Sequence, residues 1–231
     1  MNKKIKKFLS LVSMTALWCV SSAYSWSSMP KSIKTTSSTH NTATQPPLKN
    51  TIHKKGNRVK LFVSLELPAK IKKEIEHLQT EVKKLNSFDG SYVAAAHLHC
   101  TLFFIGNVDD TLLPDIKNRL ASISLPAFTV TIDSLSFNAS HNPHVLWLSL
   151  DSPCLTELAQ KIKKKLPEWG DERGFKGHIT IARVKKVSDK QAISSITVKP
   201  LTWRATEFHL KQSTKLEGKP LYTTASILPL V

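Results

Sequence analysis

Apolar residues recur in the same order at two places along the chain. The segment LFVSLELP, residues 61–68, aligns without a gap on LWLSLDSP, residues 146–153. Each copy is followed by apolar residues at helical spacing, in AKIKKEIEHLQTEVKKL after the first and CLTELAQKIKKKL after the second. Each copy ends in proline, which the start of a helix tolerates. The pattern therefore predicts a strand followed by an amphipathic helix in each copy.

A second repeated element follows each predicted helix. HLHCTLFFIG begins at His97, and GHITIARV contains His178 and Thr180. Alternate side chains of an extended chain share a face, so His97, His99 and Thr101 lie opposite the apolar residues between them. Each of these predicted strands therefore has one apolar face and one face that carries a His-x-Thr pair.

The repeated order of elements indicates a duplication. We place the two half-repeats at about residues 58–125 and 126–231. Two related halves that pack about a pseudo-twofold axis bring their His-x-Thr pairs to one cleft. The sequence therefore predicts a shared site to which both halves contribute.

The first 57 residues differ in composition from the rest. Residues 1–23 run from lysines through a mostly apolar stretch to small residues, the order typical of a secretory signal peptide. Residues 24–57 are rich in Ser, Thr, Lys, Asn and Pro and predict a disordered linker, because they have too little apolar surface to offset the entropy of ordering. We expect an exported protein, periplasmic or secreted, with a cytoplasmic location as the alternative if the signal is not used.

Positive charge is divided unevenly along the chain. The formal net charge is +16, and the nine lysines of residues 1–57 supply +9 of it because this segment contains no Asp, Glu or Arg. Residues 58–231 carry the other +7. A basic domain suits a polyanionic or phosphorylated partner, although ordinary surface charge gives the same excess. The domain contains Cys100 and Cys154, too few for a disulfide framework, and the sequence leaves their pairing open.

Two histidines and two threonines in one cleft suit acid–base chemistry on a phosphoryl group. Imidazole titrates near a pKa of ~6.5, so one histidine can take a proton from water while the other gives one to a leaving oxygen. The threonine hydroxyls can donate to the non-bridging oxygens, where negative charge grows in the transition state. A strained cyclic phosphodiester matches such a site best, because less reactive esters usually call for a metal.

The paired His-x-Thr motifs, the opening RVKLFVSLELP and the closing EFHLKQSTKLEGKPLYTTASILPL resemble the 2H phosphoesterase superfamily. Within it they look most like the LigT-like RNA 2′,3′-cyclic phosphodiesterases. The resemblance covers residues 58–231 and implies an α+β fold of two pseudo-symmetric lobes, each an antiparallel sheet flanked by helices, with a central cleft. It also implies metal-independent hydrolysis of 2′,3′-cyclic phosphate ends of RNA or nucleotides to a 2′-phosphomonoester, with no cofactor.

The resemblance further implies roles for the motif residues. His99 and His178 are the expected general acid and general base, with His178 assigned as the base. Thr101 and Thr180 are the expected phosphate ligands. The expected partner is therefore an RNA or a nucleotide with a 2′,3′-cyclic phosphate. We separately expect a monomer, and we expect no membrane association in the mature form because no transmembrane candidate follows the predicted signal.

Two further residues are candidates for substrate binding. Arg183 occupies the basic position that follows the second motif in this family. Strict alternation turns Arg183 away from His178, so a phosphate contact requires a twist, a bulge or a reach around the edge. Phe103 shares the face of Thr101 by alternation and is a candidate to stack on a base, although core packing is the more common role for such a residue.

Two alternative functions remain open from the sequence. His97, His99 and His178 together could form a three-histidine zinc site with an open position for water, as in a zinc hydrolase. No obvious carboxylate follows as a partner for these ligands, and the two threonines would have no role. A basic RNA-binding module without turnover is the other alternative, although binding alone does not require both histidines.

Overall fold

Every strand pairing in the described part of the chain is antiparallel. The computed structural model describes residues 57–170 and 174–231, which belong to the compact unit Ile52–Val231. The predicted signal peptide, residues 1–23, lies outside the described residues, as does the predicted linker, residues 24–57, except for its last residue. No helix among the described residues is long and apolar enough to cross a membrane.

Nine strands and four helices make up the described domain. The strands are β1 (Arg58–Glu66), β2 (Phe88–Tyr92), β3 (His99–Asp109), β4 (Phe128–Phe137), β5 (Val145–Asp151), β6 (His178–Val187), β7 (Leu201–Ala205), β8 (Glu207–Leu216) and β9 (Lys219–Pro229). The helices are α1 (Ala69–Lys84), α2 (Leu113–Ala121), α3 (Pro153–Lys165) and α4 (Lys190–Ser194). Short 3₁₀ turns occupy Ala95–His97 and Asp110–Leu112.

The strands form a single sheet in the order β7-β4-β5-β6-β3-β1-β8-β9, and β2 also pairs with β6. Two groups of strands meet at the centre, where β3 and β6 share one residue pair, Cys100 with Ile179. One group contains β1, β3, β8 and β9, and the other contains β2, β4, β5, β6 and β7. These groups do not match the two halves of the sequence, because β2 pairs with a strand of the later half while β8 and β9 extend the sheet from β1. The predicted α+β class, with antiparallel pairing and flanking helices, is confirmed.

The helices that follow the two repeated segments bury the faces that the apolar spacing predicts. In α1 the buried positions are Ile71, Ile75, Gln79 and Val82, three or four residues apart. In α3 they are Leu155, Leu158, Ala159 and Ile162. Both sets belong to, or pack against, the apolar core that also contains the inward residues of β3 and β6. Each fully buried aliphatic side chain contributes about 1.5–3 kcal/mol of transfer free energy, which fixes the helices against the sheet.

Candidate active site

The single residue pair between β3 and β6 brings the two His-x-Thr motifs together. Cys100 and Ile179, the middle residues of the two motifs, pair directly and are 0% exposed. Their neighbours therefore point to the opposite face of the sheet, where diagonal positions on adjacent strands lie about 7–8 Å apart. A cavity of about 670 Å³ opens on that face. Its wall contains all four motif side chains: His99, Thr101, His178 and Thr180.

The two histidines are held in the same tautomer by equivalent hydrogen bonds. His99 Nδ1 lies 2.7 Å from the carbonyl oxygen of His97, and His178 Nδ1 lies 2.8 Å from that of Lys176. A carbonyl oxygen only accepts, so each Nδ1 carries the hydrogen and each Nε2 is left for chemistry. His99 Nε2 lies 3.1 Å from Thr101 Oγ1, which donates to it while the imidazole is neutral.

An aromatic ring from the repeated strand packs on each histidine. Phe62 of β1 lies 5.2 Å from His99 between ring centroids, and Trp147 of β5 lies 4.5 Å from His178. Phe62 and Trp147 occupy the same place in the repeated segments LFVSLELP and LWLSLDSP. Tyr222 of β9 adds an edge-on contact to His99, with centroids 5.5 Å apart. Each of the two repeated segments therefore supplies the ring that packs on one of the two motif histidines.

Burial lowers the pKa of both histidines below the ordinary value for imidazole. For His99 the charge of Glu66 opposes this effect, while those of Lys211 and Lys72 reinforce it. For His178 the nearby charge is Lys176, which also disfavours the imidazolium form. A carboxylate therefore acts on the pKa of His99 but not on that of His178, and different lysines act on the two histidines.

That carboxylate is fixed by its own partners. The Glu66 Oε1 atom accepts from Ser64 Oγ at 2.9 Å and from Lys211 Nζ at 3.2 Å, and Lys72 Nζ lies 3.9 Å from Oε2. Burial raises the pKa of Glu66, but the Lys211 ammonium and the Ser64 hydrogen bond outweigh burial, so the pKa lies below its ordinary value. Glu66 pairs with His99 across β1 and β3, so a charged carboxylate is held beside this histidine.

A β-bulge in β3 changes which phenylalanine reaches the cavity. Ser64 pairs with Thr101 but Val63 pairs with Phe103, so Leu102 is an extra residue on β3. Such a bulge reverses the alternation beyond it. Phe103 is consequently only 8% exposed and belongs to the core, contrary to the alternation expected from the sequence. Phe104, which is 48% exposed, lines the cavity in its place.

An equivalent bulge in β6 brings Arg183 to the cavity. Trp147 pairs with Thr180 and Leu146 pairs with Ala182, so Ile181 is the extra residue. Arg183 therefore shares the face of Thr180 and lines the same cavity wall. Strict alternation would have turned it away, and the bulge is the physical reason that it does not. Phe104 and Arg183 both lie five residues after the histidine of their motif.

Several wall residues come from segments outside the His-x-Thr motifs. Tyr222 and Lys219 lie on the last strand, Tyr92 ends β2, and Lys60 and Phe62 lie on β1. The sequence-based prediction missed these residues because long-range strand pairings place them at the site. The aromatic position shared by the two repeated segments was the one available signal, and it points to Phe62 and Trp147.

The structure does not assemble the three-histidine metal site. His97 ends the 3₁₀ turn and lies against Tyr222, with ring centroids 5.0 Å apart. No group of three or more His, Cys, Asp or Glu side chains within residues 57–170 and 174–231 is arranged to hold a metal ion. The zinc alternative that joins His97, His99 and His178 therefore has no counterpart in this geometry.

Cys100 and Cys154 are free thiols, and burial raises the pKa of Cys100 to about 12.

An antiparallel α+β fold that brings two His-x-Thr pairs to one cleft is the architecture of a 2H phosphoesterase. The sequence model of the 2′-5′ RNA ligase superfamily matches residues 67–215. The chain therefore belongs to this superfamily, that of the 2H phosphoesterases, which confirms the resemblance seen in the motifs.

Relatives named for a cyclic phosphodiesterase activity, and the solved structures of LigT, are similar to this chain over most of its length. An RNA 2′,3′-cyclic phosphodiesterase of Thermotoga maritima is 27% identical over 172 residues, which cover 71% of this chain and 91% of that protein. The crystal structure of Escherichia coli LigT in apo form superposes with a TM-score of 0.63 at 28% identity, covering 75% of this chain and 98% of that one. Escherichia coli LigT complexed with 3′-AMP gives a TM-score of 0.62 at 27% identity, covering 75% of this chain and 99% of that one.

Proposed function

We propose that this protein hydrolyses the 2′,3′-cyclic phosphate end of RNA or of a nucleotide to a 2′-phosphomonoester. The observation that carries the proposal is the cavity wall shared by His99, Thr101, His178 and Thr180. The similarity to the RNA 2′,3′-cyclic phosphodiesterase of Thermotoga maritima supports the same substrate class. An RNA-binding module without turnover would have no use for two histidines that are held in the same tautomer in one cavity wall.

The proposed reaction is a displacement by water at phosphorus. His178 Nε2 takes a proton from the water as its oxygen forms a bond to phosphorus. The bond between phosphorus and the ribose 3′ oxygen breaks, and protonated His99 gives its Nε2 proton to that oxygen. The product keeps its phosphate on the 2′ oxygen, and the two histidines end in exchanged protonation states. Proton transfer through solvent restores them for the next turnover.

The assignment of acid and base follows from the nearby charges. A carboxylate favours the protonated form of a histidine, and Glu66 acts on His99 but is not among the groups that affect His178. Lys176, beside His178, favours the neutral form that a general base needs. The Glu66 carboxylate supports His99 as the proton donor against the opposing charges of Lys211 and Lys72, and Lys176 supports His178 as the proton acceptor.

The remaining polar groups stabilise the negative charge on phosphorus oxygens. Thr101 and Thr180 present hydroxyls that donate to the non-bridging oxygens. Arg183 supplies a guanidinium, which suits phosphate because its planar donors can bind two oxygens at once. Phe104 and Tyr222 offer aromatic faces to the terminal base.

We further propose that the protein is exported and that its mature form acts as a monomer. Export is supported by the lysine-rich, then apolar, then small-residue order of residues 1–23. Mass spectrometry of the secreted or periplasmic fraction of the producing cell tests this proposal. A mature N-terminus near residue 24 is the expected result, and an intact N-terminus in the cytoplasm would contradict it.

The catalytic proposal is tested by assaying a 2′,3′-cyclic nucleotide and a cyclic-ended RNA in excess chelator. Wild type is compared with His99→Ala, His178→Ala and the matched control His77→Ala, which removes an exposed histidine from α1. The proposal predicts full activity in chelator, loss of roughly 10²–10⁴-fold in either cavity variant, and an unchanged control. Activity that appears only on adding zinc would favour a metal hydrolase, and RNA binding without turnover in any condition would favour the module.

A further inference from the structure

A second cavity of about 340 Å³ opens beside the first and shares Lys60 and Ser213 with it. We propose that this second cavity binds the phosphates of an RNA chain whose cyclic 3′ end occupies the first cavity. The preferred substrate is then a cyclic-ended RNA rather than a free cyclic nucleotide. This inference rests on the function proposed above, because it names the substrate class of the same site.

The side chains of the second cavity suit a sugar-phosphate backbone. Arg58, Lys60 and Lys215 contribute three cations, and no carboxylate belongs to the wall formed by the described residues. Asn107, Gln212 and Thr214 add neutral polar groups. Cations and neutral donors of this kind make most protein contacts to phosphate and sugar, and these contacts carry no base preference.

The strand register connects this cavity to the catalytic groups in a straight line. On β1, Ser64 pairs with Thr101 and Lys60 pairs with Asn107, all on the face that carries the site. Arg58 lies two residues further along the same face. At about 3.3 Å per residue, the six residues from Ser64 to Arg58 span about 20 Å. A single nucleotide bound at the motif threonines does not reach that far.

The chemistry of the substrate determines from which atom of the terminal ribose the rest of the RNA extends. A 2′,3′-cyclic phosphate is the 3′ terminus of its chain, so the remaining nucleotides extend only from the 5′ oxygen of the terminal ribose. Lys60 lies at the junction of the two cavities, with Nζ 5.3 Å from the centroid of Phe104. An RNA whose terminal base lies against Phe104 therefore has a cation beside its first upstream phosphate.

Arg58 is also held in place for this role. Its Nη2 atom donates to the carbonyl oxygen of Asn107 at 2.8 Å, and its register partner on β3 is Asp109. Its side chain is exposed, as is that of Lys215. Both residues line the second cavity and neither lines the first, so they can be changed without altering the catalytic wall.

The test compares wild type with Arg58→Gln, Lys215→Gln and the double variant. The kcat/KM value is measured for a cyclic mononucleotide and for a cyclic-ended RNA oligonucleotide. The Kd of an oligonucleotide that ends in a 2′-phosphate is measured over a range of salt concentrations. Lys163→Gln and Arg204→Gln serve as controls because they remove exposed cations that line neither cavity.

We expect wild type to prefer the oligonucleotide, and the double variant to lose about fivefold or more of its kcat/KM on that substrate alone. The slope of log affinity against log salt should fall by about 0.7 for each phosphate contact removed, and the controls should match wild type. Equal kcat/KM values for the two substrates in wild type, or an unchanged slope in the double variant, would overturn the inference. Failure to hydrolyse either the mononucleotide or the oligonucleotide would instead contradict the proposed function, while the salt slope still decides the role of the second cavity.

Discussion

Gln79 offers the sharpest test of how the fold directs Arg183, the proposed phosphate ligand, towards the cavity. It lies on α1, is 5% exposed, and its Nε2 atom donates to the carbonyl oxygens of Val93 at 2.8 Å and Ile181 at 2.9 Å. Ile181 is the extra residue of the bulge in β6, and its carbonyl oxygen also accepts from the Val93 amide at 2.9 Å. Gln79 therefore stabilises the bulge that turns Arg183 towards the cavity.

The substitution Gln79→Leu keeps the side chain near its present size and removes both donors. The Ile181 oxygen keeps one donor, but the hydrogen bond from Gln79 to the Val93 oxygen is lost. The hydrogen bond to the Ile181 oxygen is buried and that to the Val93 oxygen is part-buried, and the loss of such partners costs about 1–3 kcal/mol. Taking about 2 kcal/mol, and 2–4 °C per kcal/mol for a domain of this size, we expect Tm to fall by about 4–8 °C.

The assay pairs thermal unfolding with kcat/KM on a cyclic nucleotide, measured well below either Tm. We expect Gln79→Leu to lose activity even when fully folded, because Arg183 is no longer held towards the phosphate. Arg183→Gln alone should cost about 10- to 100-fold, the value of a charge-assisted hydrogen bond. The matched control is Gln160→Leu, which makes the same exchange on an exposed face of α3.

A double-mutant cycle decides whether Gln79 acts through Arg183. If it does, adding Gln79→Leu to Arg183→Gln causes little further loss of activity, although Tm still falls. If the loss of activity in the double variant equals the product of the two single-variant losses, Gln79 does not act through Arg183 and the reasoning is refuted. A folded Gln79→Leu variant with wild-type activity would also refute it, because the bulge would then keep Arg183 in place without the amide.

Three further predictions concern the cavity wall. Trp147→Leu should lower kcat in initial-rate assays because His178 loses its ring contact, and Trp147→Phe should keep most of the activity; equal losses would contradict the packing role. Phe103→Ala should cost about 3–5 kcal/mol in chemical denaturation, whereas Phe104→Ala should raise KM with little change in stability; the reverse pattern would contradict the bulge. The kcat/KM profile should be bell-shaped, with both limbs below a pH of about 6.5, because burial lowers the pKa of both His99 and His178 in the free enzyme; a limb above that value would contradict it.

The motif residues were predictable because alternation holds over three positions. In each motif the histidine and the threonine flank a residue that is 0% exposed, Cys100 or Ile179. Short-range geometry of this kind depends on the strand alone. The repeated helices were predictable for a similar reason, because the spacing of apolar residues determines which face of a helix is buried.

Alternation failed just beyond the motifs, where pairing with a neighbouring strand decides the geometry. Leu102 and Ile181 are extra residues only in relation to β1 and β5, so their own sequence context does not mark them as bulges. Phe104 therefore faces the cavity where alternation had favoured Phe103. The contribution of Tyr222 was also hidden, because β8 and β9 lie beside β1 through pairings that span most of the domain.

The position of the phosphate in the product tests the central claim most directly. A 2′,3′-cyclic nucleotide is hydrolysed in heavy-oxygen water with excess chelator, and the product is examined by phosphorus NMR and mass spectrometry. Water attack with the 3′ oxygen as leaving group predicts only the 2′-phosphomonoester, with a single heavy oxygen on its phosphate, and product formation slower by roughly 10²–10⁴-fold in His99→Ala and in His178→Ala. A 3′-phosphate, or wild-type turnover in either variant, would contradict the two-histidine mechanism.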